Sequence, residues 1–304
     1  MNFVIRPFQP VDLPAVIAIM GWTLERNDLR PERFARDWLM TPGFRPEHLL
    51  IATTEEPLAR VLGFLLAPRR DTLAPPDRGF IASLGVHPEW RRQGIGHALL
   101  ARAIADMREE AVREIDVADV PVRYFYPGVD RAKFPVAHDL LTRGFGFAMR
   151  DDVASMGIDD SVVPRPQHGR LAPPLARLGP ESVHLLRDFL LAEFDPGFWA
   201  FFEHSLRLSY SGEHVPSEVI CWWEAGKPIG AVHFRDNRFG PLAVGQAARG
   251  RGIGKALTLT AIDRILFTGY RSAYFMMATA EVEPFYAKLG FTVLRRFSRL
   301  RLTL

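Results

Sequence analysis

Two seven-residue stretches carry the residue types that hold phosphate. One is Arg249-Gly250-Arg251-Gly252-Ile253-Gly254-Lys255, which follows the apolar run Gly240-Pro241-Leu242-Ala243-Val244 and opens a helical pattern through Leu257, Ala261, Ile262 and Ile265. Glycines let the backbone approach a ligand, and the first N–H groups of a helix have no internal partner and point outward. The other stretch is Arg91-Arg92-Gln93-Gly94-Ile95-Gly96-His97, after the apolar run over 80–86 that ends Leu84-Gly85-Val86. Neither is the dinucleotide pattern Gly-x-Gly-x-x-Gly, because the third glycine position falls on Leu99 and on Leu257. That argues against a nicotinamide enzyme.

Other residues able to do chemistry are sparse. Neither strand ahead of a glycine turn contains a carboxylate, so Glu281, Glu283 and His233 are the candidate bases by nearness to the motifs. His87 and His97 flank the first turn and read as surface histidines. Arg91, Arg92, Arg249, Arg251 and Lys255 form either an exposed basic rim or charge-assisted contacts to a phosphate. Cys221 lies between apolar and Trp neighbours and reads as a small buried hydrophobe; as the single cysteine it excludes an intrachain disulfide and a cysteine metal cluster. Phe198, Trp199, Trp222 and Trp223 fit either a core or an acceptor pocket.

The elements that must position these groups come in two similar sets. Periodicity predicts strands at 3–6, 48–54, 60–67, 80–86 and 112–120, closing strands within 145–158, and helices at 31–40, 94–109 and 131–143. After a proline-rich stretch at 159–175, read as a semi-stiff linker, helices are expected at 180–194, 196–209, 252–267 and 282–289. Strands are expected at 219–224, 228–235, 239–244, 272–277 and 291–302. Aligned at an offset of 158, residues 91–104 and 249–262 match at eight of fourteen positions. Gly144-Phe145 echoes Gly290-Phe291. The chain reads as a tandem duplication, with domains at 1–158 and 176–304.

Bulk properties narrow the class. With 304 residues, 48% hydrophobic, 24% charged and a net charge of +3, the chain is an ordinary globular protein of two-domain length. Its pI of 9.2 reflects a small excess of Arg and Lys and not a polybasic surface, so no nucleic-acid partner is expected. No apolar stretch is long enough to span a bilayer, and the N-terminus lacks a signal-peptide layout. A cytoplasmic protein is expected.

Arg-x-x-Gly-x-Gly after a strand, followed by Phe285-Tyr286-Ala287-Lys288-Leu289-Gly290-Phe291, resembles the GCN5-related N-acetyltransferase (GNAT) superfamily. Two such domains in tandem resemble the layout of the mycothiol synthases. The resemblance implies an α/β fold of two tandem GNAT domains, each a twisted mixed β-sheet flanked by helices. It implies acetyl-CoA as co-substrate and no metal. The pyrophosphate would sit on backbone N–H groups of Arg249 to Lys255, and a second one on those of Arg91 to His97. The pantetheine arm would lie along Leu242-Ala243-Val244, or Leu84-Gly85-Val86. The implied reaction is acetyl transfer to a primary amine, expected on a small molecule, by direct attack with Tyr286 as general acid. From the residues alone, Tyr286 is equally a core aromatic beside Phe285. In the first half Leu140 or Thr142 stands opposite Tyr286, depending on the alignment, with Tyr124 and Tyr126 as the nearby phenols. The first domain is therefore expected to be catalytically degenerate, and an acyl-CoA-binding sensor or structural protein is the alternative reading.

Overall fold

The computed structural model describes residues 2–24, 30–55, 59–69, 71, 73–162, 171–210 and 217–304. Its strands are β1 (Val4–Pro7), β2 (Leu49–Thr53), β3 (Val61–Leu66), β4 (Arg78–Ile81), β5 (Ser83–Val86), β6 (Glu114–Val117), β7 (Ala148–Asp159), β8 (Leu175–Arg177), β9 (Ser217–Glu224), β10 (Lys227–Arg235), β11 (Arg238–Val244), β12 (Ser272–Ala278) and β13 (Thr292–Thr303). Its helices are α1 (Leu13–Leu24), α2 (Pro31–Phe34), α3 (Ile95–Glu109), α4 (Pro135–Asp139), α5 (Val183–Glu193), α6 (Pro196–Tyr210), α7 (Ile253–Phe267) and α8 (Glu283–Ala287). Helices α2 and α4 each run on into a wider turn, Ala35–Leu39 and Leu140–Gly144. Among the described residues no helix is long and apolar enough to cross a membrane.

The chain forms two compact units, and they do not divide at residue 158. Unit 1 is Met1–Asp152 with Phe297–Leu304; unit 2 is Val153–Arg296. The reason lies in strand pairing. The end of β13 pairs with β6 through Arg301↔Asp116, Leu302↔Ile115 and Thr303↔Glu114. The end of β7 pairs with β12 from Ser272↔Asp159 to Ala278↔Ala154. Each half thus donates its closing strand to the other half's sheet. Of the expected linker, residues 163–170 lie outside the described residues, and Leu175 already belongs to β8, paired with Trp222 of β9.

In unit 1 the antiparallel sheet runs β1-β2-β3-β5, and β4 pairs in parallel with β6. Strand β2 is buried along its whole length because both faces are covered. Leu50 and Ala52 face the cluster around α3, and the alternate residues Leu49 and Ile51 face the cluster around α1 and Trp38. The run expected as one strand at 80–86 breaks at Ala82. Its first part stays with β6 and its second part moves to β3, so β4 and β5 belong to different ladders.

In unit 2 the sheet order is β8-β9-β10-β11-β12 and then the end of β7. Ile220, Val232 and Phe234 pack on the α7 side, while Val219, Cys221, Ala231 and Ala243 pack on the α5 and α6 side. Strand β11 meets β12 at one ladder position, Arg238↔Tyr274, and then diverges. Pro241, with no N–H to give, stands in the diverging part.

Helices α3 and α7 confirm the duplication at the level of packing. The buried positions of α3 are Ile95, Leu99, Leu100, Ala103, Ile104 and Met107; those of α7 are Ile253, Leu257, Thr258, Ala261, Ile262 and Ile265. Every one of them is displaced by the same offset of 158. Each large apolar side chain buried in this way contributes roughly 2 kcal/mol, which holds the helix start, and with it the glycine turn, against its strand.

Candidate active site

Both glycine turns have one backbone shape. A short helical turn, Pro88–Trp90 or Gln246–Ala248, leads out of the strand, and Arg91 and Arg249 close it with identical dihedral angles, φ −67° and ψ 158°. Positive φ then recurs at Arg92 and Gly250 (64° and 76°) and at Gly94 and Gly252 (83° and 80°). At Gly94 and Gly252 the left-handed backbone, not lack of room, is what demands glycine: a Cβ would meet nothing within 4 Å. The side chains of Ile95 and Ile253 are buried in their cores, which leaves backbone N–H groups as the outward-facing atoms.

Among the described residues the helix starts are unclaimed by protein anions. The first bonds closing each helix are Ala98 N–H to Gly94 at 2.9 Å and Ala256 N–H to Gly252 at 3.0 Å, so the donors just ahead have no intrahelical partner. Neither helix has an acidic residue in its first turn. Exposed Lys255 in unit 2 makes no ion pair among the described residues. A cation left at the positive end of a helix is unfavourable until an anion arrives.

The arginines divide their roles. Arg249 donates from Nε to the Val244 carbonyl at 3.2 Å, and Arg91 does the same to Val86 at 3.0 Å. These two side chains tie the turn to the strand end. Arg251 is held by Glu224 at 2.8 and 3.1 Å, a partner on the β9–β10 hairpin that its sequence position did not reveal. In unit 1, Gln93 donates to the Glu89 carbonyl at 3.4 Å, and the His97 ring lies 4.8 Å from Phe145.

Beside each turn lies a strand edge without a partner among the described residues. Strand β5 pairs with β3 on one side, through Leu65↔Leu84, Phe64↔Gly85 and Gly63↔Val86, while β4 has left for β6. Strand β11 pairs with β10 through Val232↔Leu242, Ala231↔Ala243 and Gly230↔Val244, and its far edge is free beyond Arg238. Alternate backbone groups of such an edge point outward and can pair with an extended ligand. Gly85 is small for a different reason: a Cβ there would lie 2.7 Å from Phe64 and 2.8 Å from Ile19. Gly254 faces the same region in unit 2, where an added Cβ would lie 3.6 Å from both Val244 and Phe285.

Tyr286 follows Phe285 on α8 and is 8% exposed, ringed by Phe239, Phe275, Phe285 and Phe291 with centroids 4.2 to 5.9 Å away. Burial pushes its phenol well above the ordinary value of 10, so the group stays protonated. Its hydroxyl makes no hydrogen bond among the described residues, which leaves a spare neutral donor.

The counterpart of Tyr286 in unit 1 is neither Leu140 nor Thr142. Phe291 N–H bonds to Tyr286 and Gly290 N–H to Ala287; Phe147 N–H bonds to Leu141 and Gly146 N–H to Thr142. Gly146 and Gly290 share positive φ, 75° and 94°. Leu141, buried, therefore occupies the tyrosine's place, because the wider turn Leu140–Gly144 inserts one residue. Of the two nearby phenols, Tyr126 gives its hydroxyl to the Leu24 carbonyl and stacks on Phe297, and Tyr124 is buried.

The candidate bases are engaged. Glu283 accepts two bonds from Arg296 at 2.9 Å each, and Glu281 accepts from Thr279 at 3.3 Å. His233 sits where the β10–β11 register slips, with Nε2 3.0 Å from Ser217 Oγ and Nδ1 3.4 Å from the Gly240 carbonyl. Burial lowers its pKa to about 3, so it is neutral at physiological pH. A carbonyl only accepts, which assigns the proton to Nδ1 and makes Nε2 the acceptor from Ser217. Cys221 is fully buried, and burial pushes its thiol up to about 12. Phe198, Trp199 and Trp223 pack on the cluster beneath α5 and α6, and Trp222 on the opposite one.

Comparison with known proteins adds three findings. A model of the acetyltransferase (GNAT) family matches residues 17–126, and a GNAT domain model matches residues 216–293. A mycothiol acetyltransferase from Propionibacterium freudenreichii subsp. shermanii is 32% identical over 146 residues, 48% of this chain and 40% of that protein. The chain thus covers less than half the length of that relative. Among solved structures, the GCN5-related glucosamine N-acetyltransferase region of a fungal multi-domain GH3 β-N-acetylglucosaminidase superposes with a TM-score of 0.77 at 18% identity, over 99% of this chain and 38% of that one. A GCN5-related N-acetyltransferase from Sphaerobacter thermophilus gives 0.69 at 16% identity, over 99% and 95%. A tandem GNAT protein from the clavulanic acid biosynthesis pathway gives 0.68 at 16%, over 99% and 98%. At these identities the three structures bear on the fold alone.

Proposed function

This chain belongs to the acetyltransferase (GNAT) family as a member with two such domains in tandem, and from that premise we propose that unit 2 transfers an acetyl group from acetyl-CoA to a primary amine of a small molecule. Acetyl-CoA supplies the acetyl group as a thioester; on transfer a C–N bond forms and the C–S bond breaks. Residues 249–255 would hold its pyrophosphate through backbone N–H groups at the start of α7. Lys255 adds a charge that no carboxylate among the described residues neutralises, and Arg249 keeps the turn seated on Val244. The free edge at 242–244 would receive the extended arm. The fit rests on the protein's own features: a helix start with no acid, left-handed glycines opening onto empty space, and an unpaired strand edge.

Tyr286 would donate its proton to the departing thiolate. Burial keeps the phenol protonated across the physiological range, and its hydroxyl has no competing partner among the described residues. The observation that carries the reading is the asymmetry between the units, a phenol at 286 in one and a leucine at 141 in the other, behind turns of the same shape. Unit 1 would then bind acyl-CoA on residues 91–97 and 84–86 without turning it over.

Thiol release from acetyl-CoA with a panel of small amines tests this. Tyr286→Phe should lower kcat by about 10²-fold or more with the KM for acetyl-CoA unchanged. Undiminished kcat would reduce Tyr286 to a packing residue. If no amine in the panel is acetylated while calorimetry shows coenzyme A binding, the chain is an acyl-CoA-binding protein instead.

A further inference from the structure

Each glycine turn is fastened to a neighbouring strand by an ion pair, and the two pairs have opposite polarity. In unit 2 the guanidinium belongs to the turn: Arg251 donates to both carboxylate oxygens of Glu224, at 2.8 and 3.1 Å. In unit 1 it belongs to the strand side. Arg60, just ahead of β3, donates to Glu89 at 3.1 Å and lies over Trp90, its guanidinium carbon 5.7 Å from the ring centre. Glu89 and Trp90 both stand in the short helical turn that leads into the glycines.

Both ties lie on the side that the extended arm of acyl-CoA would not occupy. Glu224 ends β9, and β10 separates β9 from β11, so the carboxylate stands across from the free edge of β11. Two ladder spacings put the line of β9 roughly 10 Å from that of β11. Glu224 is itself well anchored: it pairs with Lys227 across a two-residue turn in which Ala225 and Gly226 have φ of 48° and 74°. In unit 1, β3 is likewise the paired neighbour of β5, opposite its free edge.

The reversal of polarity separates two explanations for Arg251. Were its charge there to meet a phosphate, the matching residue of unit 1 would also be a cation. That residue is Gln93, which donates to the Glu89 carbonyl, and the tie is made by Glu89, whose own carboxylate would repel a phosphate. Two turns of one backbone shape thus share the tie and not the sign of the charge in it. Unit 2 has a physical need for a tie, because Arg251 stands between two left-handed glycines, Gly250 at 76° and Gly252 at 80°. Glycine leaves that region freely. Anchoring the residue between them lowers the ordering cost that a ligand would otherwise meet.

We propose that Arg251 and Glu224 are positioning residues for coenzyme A in unit 2: their ion pair holds the glycine turn in its binding shape, and the Arg251 guanidinium does not touch the phosphates. The proposal rests on the coenzyme A reading of residues 249–255 and not on turnover.

The amide of Gly254 reports on that turn alone. In a ¹H–¹⁵N spectrum of the full chain its resonance is identified by loss in Gly254→Ala, and titration with coenzyme A should move it saturably. Arg251→Glu and Glu224→Arg should each raise the Kd read from this resonance about fivefold, an effect in the range of a single exposed ion pair. Both side chains are half exposed, so the reversals leave the core intact. The double variant, which adopts the polarity of unit 1, should return to the native Kd. A double variant as weak as Arg251→Glu would show that the guanidinium meets the phosphate, and would overturn the proposal. Tighter binding in Glu224→Arg would overturn it too, since added positive charge would then outweigh the broken tie, as would native affinity in both single variants. If the native Gly254 resonance itself does not respond to coenzyme A, the phosphate reading of the turn fails and the proposal with it.

Discussion

Arg249 reaches back five residues and donates from Nε to the carbonyl of Val244 at 3.2 Å, and the same bond in unit 1, Arg91 to Val86 at 3.0 Å, shows that the motif arginine first serves the turn itself. Removing it should loosen the strand–turn junction and not the chemistry. Arg249→Met is expected to raise the KM for acetyl-CoA about fivefold, the effect of about 1 kcal/mol from one lost hydrogen bond. Steady-state kinetics should show kcat unchanged; an unchanged KM would mean that the bond does not hold the turn.

The two glycines that both turns share should respond differently to alanine. Gly252 has φ +80°, so Gly252→Ala should destabilise unit 2 by about 1 kcal/mol from backbone strain alone. Gly254 is a helical residue whose added Cβ meets Val244 and Phe285 at an ordinary 3.6 Å, so Gly254→Ala should leave stability unchanged. Urea midpoints separate the two. If Gly254→Ala also weakens coenzyme A binding, the missing Cβ serves ligand approach.

Acid should destabilise the protein through its buried histidines. Burial lowers His233 to about 3 and His48 to about 4, both below the ordinary 6.5 of an unfolded chain. Below pH 6.5 the unfolded state binds protons that the folded state refuses, so stability falls with falling pH. Each histidine accounts for roughly 2 kcal/mol of that loss between pH 6.5 and about pH 5. His233→Gln, which can still donate to Gly240 and accept from Ser217, should remove its share. A denaturation series whose slope with pH is the same in the variant would contradict this.

Cys221 should behave as a reporter of unfolding. It is fully buried with its thiol pushed up to about 12, so a disulfide reagent at neutral pH should leave the native protein unlabelled and react once denaturant is added. Prompt labelling of the native chain would show that the α5 and α6 side of the sheet opens readily.

Much of this was legible in the residues. The repeat between 91–104 and 249–262 located both turns, and the buried positions of α3 and α7 keep the same offset without exception. Three features were not legible, each for a physical reason. The break of 80–86 at Ala82 depends on which neighbour each part finds, and an apolar run looks the same in either ladder. The place of Leu141 depends on a one-residue insertion in a helical turn, which no periodicity announces. The exchange of closing strands depends on partners: β7 and β13 are both twelve residues long and could close either sheet. A signal for the observed pairing did exist in the charges, since Glu114 and Asp116 on β6 meet Arg301 on β13, and Asp116 also takes Arg78 and Arg150.

The strand exchange also imposes an order of events during synthesis. Strand β6 leaves the ribosome carrying Asp116, yet its neighbour Arg301 is 185 residues further along. At about 5–20 residues per second, the edge of β6 waits on the order of ten seconds for its partner. Through that interval the first-made half holds an open strand edge, the feature through which nascent chains aggregate. The two carboxylates on β6 repel like-charged neighbours until the arginine arrives, so the residues that fasten the last strand also guard its vacant place. The half translated first is the half completed last.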